Sequence, residues 1–166
     1  MSRLVDRRVR AARLEGRTVD ELLTADLLAL GAVADRARRA RHGDRTHIGR
    51  RRPEAPEVLV RGGERPSDRI RSLAATALET VVVRPDPTSP ATGEEVLRVA
   101  CVCRLELDVA HVAVSWEDVG IELAQVALSF GVDELLGPVT DGSPLARGIP
   151  RAELAELIKK AGREAA

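Results

Sequence analysis

From residue 57 onward, short β-branched runs alternate with helices that are apolar on one side, and this alternation limits the possible folds more than any other feature. Val58, Leu59 and Val60 make a short buried run that ends at Gly62-Gly63. A helix is predicted from Ser67, with Ile70, Leu73, Ala74, Ala77 and Leu78 on one face. Val81-Val82-Val83 is the next run, broken by RPDPTSPATG. A helix over 93–107 carries the stripe Val96, Val99, Ala100, Cys103 and Leu107. A strand over 111–116 (HVAVSW), a helix over 117–130 and a weakly strand-like 133–139 follow. Pro150 suits the first turn of a last helix that buries Leu154, Leu157, Ile158 and Ala161. Such a pattern predicts βαβ units around a parallel sheet. Four units fit between 57 and 162, where a closed (β/α)₈ barrel takes eight. The expected fold is α/β, a partial (half) barrel of about four parallel strands preceded by N-terminal helices.

Ahead of that region the pattern is helical. Residues 1–16 are arginine-rich with acids interleaved, which reads as a solvated helical end. Thr18 can cap a helix whose face runs Leu23, Leu27, Leu30, Ala34 and Ala37. That helix is predicted to end in the basic turn Arg38-Arg39-Ala40-Arg41-His42, stopped by Gly43. Residues 49–56 (GRRRPEAP) lack an apolar period and read as a linker. The expected organisation is a helical segment 1–48, a linker 49–56 and a half-barrel region 57–166, packed as one domain.

Composition removes several function classes. With 26 basic and 26 acidic residues the net charge is zero, which argues against a nucleic-acid partner held by bulk charge. Trp116 and Phe130 are the only aromatics among Phe, Trp and Tyr, too few for base-stacking platforms. No 18-residue apolar run suggests a membrane span, and a cytoplasmic location is expected. Cys101 and Cys103 cannot build a disulfide framework. On a helix they point about 200° apart, so they read as core-lining thiols and not as joint metal ligands.

Four segments carry a family likeness: ADLLALGAVADRARRARHGDR (25–45), ERPSDRIRSL (64–73), TGEEVLRVACVCRLELD (92–108) with HVAVSW, and GIELAQVALSFGVDELLGPV (120–139) with ELAELIKKAGRE (153–164). The chain resembles aminofutalosine synthase of the futalosine route to menaquinone. It also resembles that enzyme's radical S-adenosylmethionine relatives, the dehypoxanthine futalosine cyclase and the deazaflavin cofactor synthases. The resemblance implies a βα barrel whose first strand is followed by a CxxxCxxC loop holding a [4Fe–4S] cluster. Between Ile48 and Glu57, where the family would place its first four strands, this chain reads GRRRPEAP. Cluster ligation needs thiolates that the segment does not have. The iron–sulfur cluster and S-adenosylmethionine are therefore expected to be lost.

At the remaining strand ends the likeness is partial. Glu64 stays where the family has a glutamate, but Arg61-Gly62-Gly63 replaces its glycine–histidine pair, and Arg84 stands in place of a histidine before proline. Trp116 and His111 match family residues; His111 reads as a structural hydrogen-bonding group, His42 as a helix-end cap, and His47 has no identifiable partner. Arg61 and Arg84 together form a candidate anion pair. No catalytic residue and no metal ligand is assigned. The candidate ligand-binding residues are Glu64, Arg84, Ser115, Trp116 and His111. The expected function is a cluster-less, non-catalytic protein that associates with itself or with a full-length radical relative. Alternatives are a nucleoside-type small-molecule binder that keeps part of the ancestral pocket, or the product of a decayed gene. An open half barrel exposes sheet edges and an apolar inner face, which a second copy, a relative or the N-terminal helices would cover.

Overall fold

The structure is a computed structural model and describes residues 17–140 and 148–166. The basic segment 1–16 considered above lies outside the described residues. Thr18 caps α1 (Val19–Leu22) through a capping box with Glu21, as its position predicts. The single N-terminal helix expected from the apolar stripe is instead two. After Leu23 the chain turns, and the Asp26 carboxylate accepts the Ala29 N–H (2.8 Å), starting α2 (Leu27–His42). Gly43, at φ 60°, ends α2 by donating its N–H to Arg39 O (2.9 Å).

A strand then forms where the sequence predicted none: β1 (Arg45–Gly49). The βα series follows with β2 (Glu57–Val60), α3 (Ser67–Ala74), β3 (Leu78–Pro85), α4 (Gly93–Glu106) and β4 (Val109–Ser115). The expected helix over 117–130 is split at Gly120 (φ 83°) into α5 (Trp116–Val119) and α6 (Ile121–Ala127). After β5 (Glu134–Leu136), two short strands pair in parallel, β6 (Val139–Thr140) and β7 (Ile149–Pro150), and the chain closes with α7 (Arg151–Lys160) and β8 (Glu164–Ala165).

The main sheet is parallel, in the order β2-β3-β4-β5-β1-β8. It has two strands more than the four expected, because β1 slots in beside β5 and β8 lies outside β1. Helical side chains collect on one face. Val19 and Leu22 of α1, Ala34 of α2, Ile70 of α3, Ala124 of α6 and Leu154 of α7 share one core with Val58, Val81, Val83, Val112, Val114 and Leu135 of the strands. A doubly wound sheet would carry helices on both faces, so this arrangement is that of a partial β/α barrel. The N-terminal helices pack with the others and leave the inner face to something else. Among the described residues no helix is long and apolar enough to cross a membrane.

The connection from β1 to β2 decides what covers that inner face. Three strands lie between them, so the chain must cross about 19 Å at the usual strand spacing of about 4.8 Å. The seven residues 50–56 reach about 23 Å when extended, so they have little slack and must lie across the sheet. Ala55 accordingly packs on Val82, Ala113 and Leu136, a small apolar cluster on the face away from the helices. The stretch read as a linker is a strap over the inner face.

Candidate functional site

Period-2 alternation turns Glu57, Thr80, Val82, Arg84, His111, Ala113, Ser115, Glu134 and His47 toward the inner face. In a βα barrel this face and its upper rim hold the working groups. Here the chain's own ion pairs occupy it. Arg52, on the strap, donates to Thr80 Oγ1 (3.0 Å) and to Glu134 Oε1 (3.2 Å), and the Glu134 side chain is buried. Glu57 sits between Arg51 (2.6 Å) and Arg84 (3.4 Å), and Arg84 also meets Asp118 (3.5 Å). Gly49 lets the Glu134 carboxylate pass, since a Cβ there would stand 2.7 Å from Glu134 Oε1.

The sequence-derived candidates do not gather into one cavity. Ser115 is buried and accepts the Glu117 N–H (3.3 Å), which starts α5. Trp116 is 7% exposed and packs so closely over Gly137 that a Cβ there would fall 2.2 Å from the indole. Both serve the fold directly. Arg84 is committed to Glu57 and Asp118. Glu64 is exposed beside Arg61 (3.8 Å), and Arg61 pairs with Asp86 (2.7 Å), not with Arg84. Arg61 and two hydrogen bonds from Thr88 hold the Asp86 carboxyl down to about 2. Of the five candidates, Glu64 alone lines the groove of about 400 Å³ beside β2, with Leu59, Arg61, Arg65 and Arg69 among its neighbours.

The two thiols sit in α4 on the helix side, fully buried. Burial pushes Cys103 up to about 12 and raises Cys101 further, so neither is a thiolate at neutral pH. Native protein at about pH 8 should leave both thiols unlabelled by a disulfide reagent, and denatured protein should titrate 2 of them. Rapid labelling of the folded protein would show that α4 opens and that the thiols are available as ligands.

The fifth candidate, His111, belongs to a constellation that sequence reading did not foresee. All 3 histidines of the chain meet around one buried carboxylate, that of Asp133. His42 is the last residue of α2, His47 lies in β1, His111 in β4, and Asp133 immediately precedes β5. His111 Nδ1 lies 2.6 Å from Asp133 Oδ2, and His42 Nε2 lies 3.4 Å from the same oxygen. The His47 ring stands edge-on to His111 at 4.7 Å between centroids, and His42 is 5.1 Å from His111. Asp133 Oδ1 accepts from Arg104 and from the Val112 N–H (2.9 Å), fixing Oδ2 toward the imidazoles. Arg104 is itself held by Gly131 O (2.9 Å) and Ala110 O (3.3 Å).

The electrostatics follow from this packing. Burial works against the Asp133 carboxylate, but His111 and Arg104 outweigh it and hold the group below its ordinary value. The hydrogen bond to Asp133 raises His111. Burial lowers His42 despite the attraction of Asp133. The site lies toward the N-terminal ends of β4 and β5, away from the rim where barrel chemistry is expected.

No family model matches the chain. Over 80 residues it is 39% identical to the aminodeoxyfutalosine synthase of Thermus thermophilus, a match that covers 43% of this chain and 22% of that protein. Over 86 residues it is 37% identical to the aminodeoxyfutalosine synthase of Streptomyces coelicolor, covering 45% of this chain and 22% of that one. The match thus spans about a fifth of the length of these curated relatives. The chain is thus similar to about a fifth of aminodeoxyfutalosine synthase, as a truncated relative of that enzyme would be.

Proposed function

We propose that this chain is a cluster-less relative of the synthase, linked by descent to menaquinone biosynthesis, and that it works by self-association and not by radical chemistry. The observation that carries this reading is the strapped inner face. Where a barrel enzyme would place cofactor and substrate, Arg52 of the strap 50–56 pairs with Glu134, and Arg84 pairs with Glu57. The buried thiols lie on the far side of the sheet and are kept protonated. A nucleoside-type ligand has weaker support, since Ser115 and Trp116 are used as a helix cap and a packing group.

The partner favoured is a second copy of the chain, meeting at the β2 edge. Among the described residues β2 has no strand on its outer side, and its Leu59 is 37% exposed. The adjoining groove mixes Glu57 and Glu64 with Arg61, Arg65 and Arg69. A two-fold axis through such a patch sets each copy's arginines against the other's glutamates, as a self-complementary interface requires. Arg69 already caps one edge carbonyl, that of Glu57 (3.0 Å), which restricts the edge to a specific mate. Size-exclusion chromatography with light scattering should give a dimer that Leu59→Asp converts to monomer. A monomer at all concentrations, or a complex only with a full-length synthase, rejects self-association. Reductive cleavage of S-adenosylmethionine by the purified chain rejects the cluster-less reading.

A further inference from the structure

We propose that His42, His47, His111 and Asp133 form a closed, four-ligand site for a zinc-class divalent metal ion. This inference stands apart from the association reading and rests on geometry alone. One nitrogen from each imidazole and one Asp133 oxygen all lie within 4.8 Å of one another. Tetrahedral zinc with Zn–N of about 2.0–2.1 Å places its ligand atoms about 3.3 Å apart. The widest pair therefore has to close by no more than about 1.5 Å, and the His111 Nδ1–Asp133 Oδ2 contact, 2.6 Å, has to give up its hydrogen bond and open where both atoms ligate, changes within reach of small side-chain rotations. The donor set is three imidazoles and one carboxylate, a combination that suits zinc.

Hydrogen bonding alone does not account for the cluster. His111 is satisfied by Asp133 Oδ2, and His42 Nε2 lies 2.8 Å from Ala110 O. Among the described residues no hydrogen-bond partner takes the His47 ring, yet that ring stands against both of the others. A metal ion would take a lone pair from each of these rings and so give the His47 ring a partner.

An outer shell is already in place. The Val112 N–H and Arg104 hold Asp133 Oδ1 and so aim Oδ2 inward, the arrangement that orients metal-bound carboxylates. Arg104 opposes a cation by its charge; Asp133 and the neighbouring Glu134, which also acts on His111, offset it. Four protein ligands leave no open position, so the ion is structural: it pins the end of α2 to β1, β4 and the start of β5.

The test uses the intact chain, zinc and cobalt(II). Calorimetric titration should give one zinc per chain. Cobalt should show the intense visible bands of a tetrahedral site, and proton NMR should show all 3 histidine ring sets moving together with sub-stoichiometric zinc. His47→Gln removes an imidazole that has no side-chain hydrogen bond among the described residues. It should fold by circular dichroism and bind zinc more than about 100-fold more weakly, beyond the usual effect of losing an outer-shell group. Zinc binding unchanged in His47→Gln, weak octahedral cobalt bands, or a zinc-dependent shift of only one histidine would overturn the proposal. If His47→Gln fails to fold, the cobalt and NMR readouts on the unmodified chain decide it.

Discussion

Replacing Asp133 by alanine should remove about 3–5 kcal/mol of stability, measured by urea unfolding against the parent chain. The carboxylate is fully buried and meets Arg104, His111 (2.6 Å) and the Val112 N–H (2.9 Å). Without it the Arg104 guanidinium, almost entirely buried, loses its ion pair with Asp133, while its bonds to the carbonyls of Gly131 and Ala110 remain. Breaking a buried ion pair by removing one partner leaves the other charge's desolvation less well compensated. A domain of this size is stable by about 5–15 kcal/mol, so the variant loses a large share of its stability. Asp133→Asn keeps the shape and one acceptor, and should cost less, about 1–3 kcal/mol. Asp68→Ala breaks a surface pair between the fully exposed Asp68 and the half-exposed Arg71 on α3 and should leave stability essentially unchanged. If Asp133→Ala and Asp68→Ala behave alike, the buried network is not what joins β4 to β5.

The fold was legible wherever local pattern and tertiary environment agree. The stripe of α4, Val96 through Leu107, is buried as its period predicts. Leu97, Cys101, Val102, Arg104 and Leu105 are buried too, because α4 lies at the centre of the helical layer and is covered all round. A one-sided template undercounts such a helix. The breaks at Asp26 and Gly120 were written in residues that cap and end helices, but continuous apolar spacing masked them. β1 could not be read locally. Its sequence RTHIG has one β-branched apolar residue, and its strand character comes from sitting between β5 and β8, which are distant in the chain.

The site was hidden for the same reason. His42 and His111 are 69 positions apart, and Asp133 lies 22 beyond His111 (111 − 42 = 69, 133 − 111 = 22). No spacing motif covers them. They meet because β1 inserts next to β5, which brings His47 level with Glu134 and the end of α2 over Ala110. The one available signal was that His111, read as a structural hydrogen-bonding group, needed a partner, and Asp133 is that partner.

Arg104→Met should cost about 3–5 kcal/mol at alkaline pH and clearly less at mildly acidic pH. The sign follows from linkage. His111 is raised in the folded chain, so its contribution is complete below the unfolded histidine value of about 6.5 and is lost as pH rises through the folded value. Asp133 is lowered, so its contribution is present above about 3.9 and is lost as pH falls through its folded value. The couple is therefore strongest between the lowered carboxyl and the raised imidazole. In the parent chain Arg104 compensates Asp133 at every pH in that range. In the variant the imidazoles carry that role alone. Arg104 is also one of the causes that keep His42 low, so its removal lets His42 protonate beside Asp133 more readily. Both changes make the folded variant bind protons more tightly than the parent, and its stability must fall more steeply as pH rises. Comparing urea midpoints of the two chains at about pH 5.5 and about pH 8.5, on either side of the ordinary histidine value, reads this difference directly. An equal loss at both pH values would mean that Arg104 supports the fold by packing, and that Asp133 does not depend on the imidazoles for its charge.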